Sequence, residues 1–162
     1  MEIELINYLQ RLENRAQPGG WVYLMHSSFA PDETKIGFTK WPLQRYKQGR
    51  TWNRQLALFG AFFIPASIST ASQIEAKIFQ RLQYIRLTTH DDTHGEWFAR
   101  SAESLYFWLI EFFNEEYKID VTTDSRGLFF NNLIIWLWGS EIEFIYGSPE
   151  PFAEYLDQFE KW

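Results

Sequence analysis

The chain has 162 residues, a net charge of −6 and no cysteine, which excludes disulfides, thiolate metal sites and cysteine nucleophiles. Its length predicts one domain with an addition, and an apolar content of 46% supplies a substantial core. No apolar run reaches the roughly 20 residues that span a bilayer, and the start lacks the pattern of a signal peptide. These features predict a soluble, cytoplasmic protein with no membrane partner.

The predicted elements of the first two thirds alternate between helices and short strands. In chain order they are helix 3–15, strands 21–26 and 35–38, a helix from Pro42, strand 55–65, helix 72–85, strand 95–98 and a helix from Ser101. A loop over 27–34 joins the first two strands, and Gly49 is expected to stop the helix that begins at Pro42. This order is typical of an α+β fold with a small mixed or antiparallel sheet flanked by helices.

The last third differs in composition. Residues 117–123, 128–138 and 141–146 are predicted strands, and 152–162 is a final helix. We therefore divide the chain into an N-terminal helix (1–19), a central domain (20–114) and an acidic, aromatic-rich α/β extension (115–162). The apolar run 133–138 has two interpretations, a core strand or a contact between subunits.

Charge is distributed unevenly along the chain. Residues 1–100 hold 12 Lys and Arg against 9 Asp and Glu, a net of +3, whereas residues 101–162 hold 3 against 12, a net of −9. Six basic residues and no acid lie between Lys35 and Arg54. A local patch of this kind attracts a phosphate backbone despite a negative total, and its alternative interpretation is a solvated helix face.

Four side chains on four predicted elements supply a phenol, an ammonium, a guanidinium and a carboxylate. They are Tyr23, Lys35, Arg45 and Glu75. Each has a structural alternative: a tyrosine in a strand packs in the core, and a lysine or arginine at an element end is solvated. Only the four residues taken together favour a catalytic role. Their side-chain groups are those that a metal-assisted cleavage of phosphodiesters would need.

For Glu75 the structural alternative is specific. Ser72 and Glu75 fit a capping box, in which the glutamate bonds back to the helix start. Thr70 with Gln73 would cap the same helix instead and leave Glu75 available.

A family resemblance rests on the ordered motifs. These are Trp21-Val-Tyr-Leu-Met25, Lys35-Ile-Gly-Phe-Thr39, Arg45, Ile74-Glu-Ala76 and Gly95-Glu-Trp-Phe98. Together they resemble the GIY-YIG endonuclease superfamily, and most closely the phage-type branch whose second signature reads Lys-Ile-Gly. The resemblance covers residues 20–100 and extends to 113. Trp21 stands where the family has its first glycine, and Glu96 is the nearest counterpart of a family asparagine.

The resemblance implies hydrolysis of DNA phosphodiester bonds with Mg²⁺ or Mn²⁺. Tyr23 would orient or deprotonate the attacking water, and Lys35 would favour ionisation of that tyrosine. Arg45 would neutralise charge that builds on the phosphoryl group. Glu75 would hold the metal, because a hard cation is satisfied by one carboxylate, water and substrate oxygens.

DNA contacts are expected from the basic patch and the aromatic residue within it. The predicted residues are Lys40, Lys47, Arg50, Trp52 and Arg54. Trp41 is expected in the core instead. His90 and His94 suggest a metal site, but they lack an identifiable third ligand and are expected to be polar loop residues.

The acidic residues 101–162 support a second hypothesis. A GIY-YIG-like scaffold with weak or no catalysis would bind or inhibit a protein partner, or form a homodimer, through this region. In a third arrangement the acidic region folds over the basic patch and reduces cleavage.

Overall fold

The computed structural model describes residues 19–87, 96–118, 134–140 and 142. The elements of this part are β1 (Gly19–Ser27), β2 (Ala30–Thr39), α1 (Pro42–Arg50), β3 (Leu56–Pro65), α2 (Ala71–Arg81), a 3₁₀ turn (Gln83–Ile85), β4 (Arg86–Leu87), β5 (Glu96–Phe98), α3 (Ala102–Tyr117) and β6 (Ile135–Trp138). The strands form one antiparallel sheet in the order β4-β5-β2-β1-β3-β6. This arrangement confirms the predicted α+β class.

Several predicted features lie outside the described residues. They are the helix over 3–15, the residues His90 and His94, most of the three strands predicted between 117 and 146, and the helix over 152–162. At the start of that region, α3 continues through Tyr117, where a strand was predicted. Within the described part of the chain, no helix is long and apolar enough to cross a membrane.

The loop predicted over 27–34 is much shorter than expected. β1 continues to Ser27, β2 begins at Ala30, and these two residues are opposite each other across the hairpin. The Ser27 hydroxyl accepts a hydrogen bond from the backbone N–H of Phe29 at 3.3 Å, which stabilises the tight turn. A register shift at His26/Ser27 accommodates the extra residues of β2. Because they form a bulge, a polar segment with a proline remains within the strand.

Gly49 does not end α1, contrary to the prediction. The helix continues to Arg50, and the Thr51 hydroxyl donates to the Gln48 carbonyl at 2.6 Å where it ends. A Cβ atom at position 49 would lie 2.5 Å from Cδ2 of Leu56. The glycine therefore allows α1 to approach β3 closely, and packing rather than termination explains it.

One face of the sheet, the core face, packs against α2 and α3. Its cluster includes Val22, Leu24, Ile36 and Phe62 from the strands, Ile74 and Ile78 from α2, and Leu105, Leu109 and Phe113 from α3. Side chains alternate between the faces of a strand, so the residues between these belong to the opposite face. We call that face the tyrosine face; it carries Trp21, Tyr23, Met25 and Lys35.

The strand β6 belongs to the same core. Its Trp136 is opposite Phe62 of β3, and the two ring centroids are 4.5 Å apart. Ile134, Trp136 and Leu137 are all buried. In its described part, the apolar run 133–138 is therefore a core strand.

Candidate functional site

Tyr23 and Lys35 lie on adjacent strands and meet on the tyrosine face. Tyr23 of β1 is opposite Gly37 of β2, and Lys35 is opposite Met25. The Nζ atom of Lys35 is 6.0 Å from the centroid of the Tyr23 ring, a distance at which an ammonium is attracted to an aromatic face. Tyr23 is fully buried and Lys35 is only 9% exposed. The pair is preformed and shielded from solvent.

Arg45 lies in the first half of α1. The helix has Trp41 at its N-cap and Pro42 within its first turn, where the missing N–H of proline removes no helical hydrogen bond. The Arg45 side chain is partly buried, and its Nη1 donates to Oε1 of Gln48 at 3.3 Å. The guanidinium is thus held along its own helix.

The position of α1 places Arg45 on the same side of the sheet as the tyrosine. Gly49 of α1 approaches Leu56 of β3, and Leu56 is opposite Ser27 of β1. Ser27 comes four positions after Tyr23 along β1, an even offset, so the two side chains share a face. α1 therefore packs on the side of the tyrosine face.

Glu75 lies on α2 and takes no part in the helix cap. Thr70 is the N-cap, and its hydroxyl accepts a hydrogen bond from the backbone N–H of Gln73 at 3.4 Å. Of the two capping arrangements that the sequence allowed, this is the one that leaves the glutamate available. Ile74 and Ile78 of the same helix are buried in the core, so the neighbouring Glu75 is partly buried at the border of the cluster.

The electrostatic environment of Glu75 is unfavourable to its charge. Burial raises the pKa of the Glu75 carboxyl, and the negative charge of Glu96 raises it further, because both effects disfavour the ionised form. Glu96 is opposite Ile36 of β2 and shares the core face with it, whereas the preceding residue, Lys35, belongs to the tyrosine face. The two glutamates therefore lie on the side of the sheet that α2 covers.

Glu96 is held by an arginine from the neighbouring strand. Nε of Arg86 donates to Oε2 of Glu96 at 3.1 Å, and Nη2 donates to Oε1 at 2.8 Å. This two-point contact fixes the plane of the carboxylate. The sequence identified Glu96 but missed Arg86, because β4 and β5 pair across residues 88–95 and no local pattern records that pairing.

The comparison with known protein families gives one match. Residues 20–113 match the T5orf172 domain, which is more than half of the chain and runs from β1 into α3. The chain belongs to the T5orf172 domain family. This is a phage-associated domain of the GIY-YIG/HNH-like nuclease context. No curated protein and no solved structure matches the chain.

The T5orf172 domain brings the predicted residues together only in part. Tyr23 and Lys35 form one pair on the tyrosine face, and Glu75 interacts with Glu96 near the paired strands β2 and β5. Arg45 is on the side of the first pair, and its guanidinium contacts its own helix.

The carboxylates of this domain suit a divalent cation that retains water. No group of three or more His, Cys, Asp or Glu side chains suited to a metal occurs among the described residues. Mg²⁺ needs only one or two protein carboxylates, because water and substrate phosphates complete its coordination. Both oxygens of Glu96 are bound by Arg86, so Glu75 is the carboxylate of this pair that would be available to Mg²⁺ or Mn²⁺.

The side chains predicted to contact DNA are all exposed. They are Lys40, Lys47, Arg50, Trp52 and Arg54. Trp52 is 92% exposed, as expected for a surface aromatic, whereas Trp41 is 41% exposed and not in the core as predicted. Trp41 lies at the junction of β2 and α1, where its backbone N–H donates to the Thr39 hydroxyl at 3.1 Å.

Proposed function

We propose that this T5orf172 domain is a metal-dependent DNA endonuclease of the GIY-YIG type. The observation that carries the proposal is the Tyr23–Lys35 pair within a domain of nuclease context. A phenol next to an ammonium is chemically suited to handle the proton of an attacking water. DNA is the expected partner, because the exposed basic residues follow directly in α1 and the segment after it.

In the proposed mechanism each residue has a separate role. Glu75, with Glu96 beside it, would hold Mg²⁺ or Mn²⁺, and the ion would supply Lewis-acid polarisation of the phosphodiester. Tyr23, ionised to the phenolate, orients the attacking water and accepts its proton to become the neutral phenol. Lys35 stabilises the negative charge that the phenolate carries before this transfer. Arg45 turns from its own helix to the phosphate and neutralises the charge that develops there.

The burial of Tyr23 sets a condition on this mechanism. A fully buried ring reaches neither water nor a phosphate, and Glu75 lies on the core side of the sheet. The tyrosine face must therefore open, and the reacting groups must be brought together, before cleavage. The proposed enzyme therefore has a closed state, and DNA or a partner shifts it to an open one.

The experiment is a nicking assay on supercoiled plasmid with Mg²⁺, Mn²⁺ or a chelator. We expect metal-dependent nicking that Glu75→Gln and Tyr23→Phe each reduce at least about 100-fold, because each removes a group that acts on the reacting atoms. Glu111→Gln, an exposed carboxylate of α3, is the matched control and should retain full activity.

A calorimetric titration with Mn²⁺ gives a readout that does not depend on cleavage. Glu75→Gln should abolish the binding that Glu111→Gln preserves. An absence of cleavage of both plasmid and single-stranded circular DNA with every divalent metal, or equal nicking by Glu75→Gln and the wild type, would refute the proposal.

The burial of Tyr23 also favours a second candidate function, a scaffold that binds without cutting. In that case the net charge of −9 on residues 101–162 would dock on a basic protein or support a homodimer. Light scattering and affinity capture then give a stable complex from a chain that is inactive on DNA. A monomer that captures nothing and cuts plasmid excludes this candidate.

A further inference from the structure

Two large aromatic side chains at one end of the domain are exposed to solvent. Phe29, in the turn between β1 and β2, is 81% exposed, and Trp52, just after α1, is 92% exposed. Burying such rings stabilises a fold, so packing within the described fold does not explain their position. We call these two residues the aromatic edge.

The turns that carry the two rings are tied together. The backbone N–H of Ser28 donates to the Gln55 carbonyl at 3.3 Å, and the Ser28 hydroxyl donates to Oε1 of Gln55 at 2.7 Å. Phe29 follows Ser28 directly, and Trp52 lies three residues before Gln55. Three residues span at most about 10 Å, so the backbone segments that carry the two rings lie at the same end of the domain.

The segment that presents Trp52 is held rigidly. The backbone N–H groups of Trp52 and Asn53 both donate to the Gly49 carbonyl, at 3.1 and 3.0 Å. The Asn53 side chain accepts from the N–H of Gln55 at 2.9 Å, and its carbonyl accepts from the N–H of Leu56 at 3.1 Å. Because these hydrogen bonds already fix the backbone of the segment, it loses little conformational entropy when it binds a ligand.

Positive charge lies on the α1 side of the aromatic edge. Arg50 lies 5.6 Å over the ring of Tyr46, donates to its hydroxyl at 3.1 Å, and donates to the Arg54 carbonyl at 3.2 Å. Lys47 and Arg54 are exposed beside it. The acids at 32 and 33 lie in β2, three and four residues after Phe29. Phosphates are therefore favoured along α1, where the cations lie.

We propose that the aromatic edge binds the unpaired bases of single-stranded DNA, with Arg50, Arg54 and Lys47 on its phosphates. Flat rings beside a row of cations are suited to stacked bases and a backbone. In duplex DNA the bases are already stacked on each other, and Phe29 and Trp52 would have no base faces to contact. The inference rests on the proposed function, and it defines the substrate class of the nuclease as DNA with a single-stranded segment.

The test is fluorescence anisotropy of labelled oligonucleotides, with a chelator present so that no cleavage occurs. The probes are oligo(dT), a duplex of equal length and oligo(U). We expect oligo(dT) to bind more tightly than the duplex, and Trp52→Ala and Phe29→Ala each to weaken its binding roughly 10- to 100-fold. Trp52→Phe keeps a ring and should lose much less.

The matched control is Phe107→Ala, which removes a 59% exposed ring from α3 and should leave oligo(dT) binding unchanged. Equal affinities for oligo(dT) of Trp52→Ala and Phe107→Ala, or tighter binding of the duplex, would overturn the inference. Tighter binding of oligo(U) would overturn the assignment of DNA.

Cleavage and binding separate the two proposals. If Trp52→Ala alters neither plasmid nicking nor oligo(dT) binding, the nuclease proposal stands and the aromatic-edge proposal is refuted. If oligo(dT) binding depends on Trp52 but the chain never nicks DNA, the aromatic edge binds single strands and the nuclease proposal is refuted.

Discussion

At the scale of single residues, the carboxylate of Glu75 lies partly buried near a second negative charge. Both burial and Glu96 raise its pKa, so the folded protein holds a proton at this position more readily than the unfolded chain does. The charge of Glu75 at neutral pH therefore opposes folding. A group that costs stability and stands beside another carboxylate is typical of a functional site.

The sign of this effect gives a prediction for Glu75→Gln. Between the ordinary glutamate pKa and the raised one, the native state loses stability as the pH rises, and the substitution removes that loss. At pH 7 we expect Glu75→Gln to have a higher free energy of unfolding, and so a higher urea midpoint. The gain should be under about 1 kcal/mol, because solvent screens a partly exposed group. The measurement is urea unfolding at pH 7 and pH 4.

Below the ordinary pKa both proteins are uncharged at this position, and the difference should vanish. Glu111→Gln, exposed on α3, controls for the loss of any carboxylate. A lower midpoint for Glu75→Gln than for this control at pH 7 would contradict the account of its environment.

At the scale of elements, α2 is fixed to α3 by charges at its C-terminal end. Arg81 pairs with Glu116, lies 3.6 Å from Glu115, and its guanidinium is 5.0 Å from the centroid of the Phe112 ring. Lys77, one turn earlier, is 3.5 Å from the carboxylate of Glu116. These contacts set the orientation of the helix that carries Glu75.

Replacing Arg81 should therefore loosen the helix pair. We expect Arg81→Gln to lower the free energy of unfolding by about 1–2 kcal/mol, since it removes two ion pairs and a contact with an aromatic ring. Thermal unfolding in low and high salt measures this. The loss should shrink in high salt, which screens exposed pairs.

The exposed Lys40 supplies the control for Arg81. Lys40→Gln should change stability by no more than about 0.5 kcal/mol. A double-mutant cycle of Arg81→Gln with Glu116→Gln isolates the pair itself. If the two losses are simply additive, the proposed coupling between α2 and α3 is wrong.

At the scale of the whole molecule, the acidic part of the chain contributes to the core of the basic part. β6 pairs with β3 along the edge of the sheet, and Trp136 covers Phe62. At Gly60, a Cβ atom would meet the ring of Trp136 and would lie 2.8 Å from the Leu137 carbonyl. Glycine permits this close approach of the two strands.

A chain that ends after Lys118 lacks β6 and exposes the surface of Phe62. We expect it to be insoluble or to unfold without cooperativity, because the buried side chains of Ile134, Trp136 and Leu137 are lost. Trp136→Ala in the full chain should cost about 3–5 kcal/mol for the same reason. Soluble yield and thermal unfolding by circular dichroism measure both.

Autoinhibition by the acidic region predicts the reverse outcome. A shortened chain that is folded, soluble and more active on plasmid would show that residues after Lys118 cover the site without forming part of the core. Trp138→Ala, at a 42% exposed position of β6, is the control and should be well tolerated.

The sequence by itself determined the local structure and supplied the candidate residues. Pro42 set the start of α1, and two β-prone runs separated by turn formers predicted the hairpin that carries Tyr23 and Lys35, because turn chemistry and strand propensity are local properties. That the two side chains meet on one face followed only from the register of the strands. The ordered motifs likewise indicated a domain of nuclease context. The loop over 27–34 was too long and Gly49 was misassigned, since a bulge and a close helix approach depend on the partner strand.

Only the tertiary structure decided the environments of these residues. The complete burial of Tyr23, the effect of Glu96 on Glu75, the contact of Arg86 with Glu96 and the proximity of Phe29 to Trp52 all join residues that are distant in the chain. Such contacts arise from strand pairing and packing over many residues, and no short pattern records them. The same holds for β6, whose apolar sequence fitted both a core strand and a subunit contact until its pairing with β3 placed it in the core.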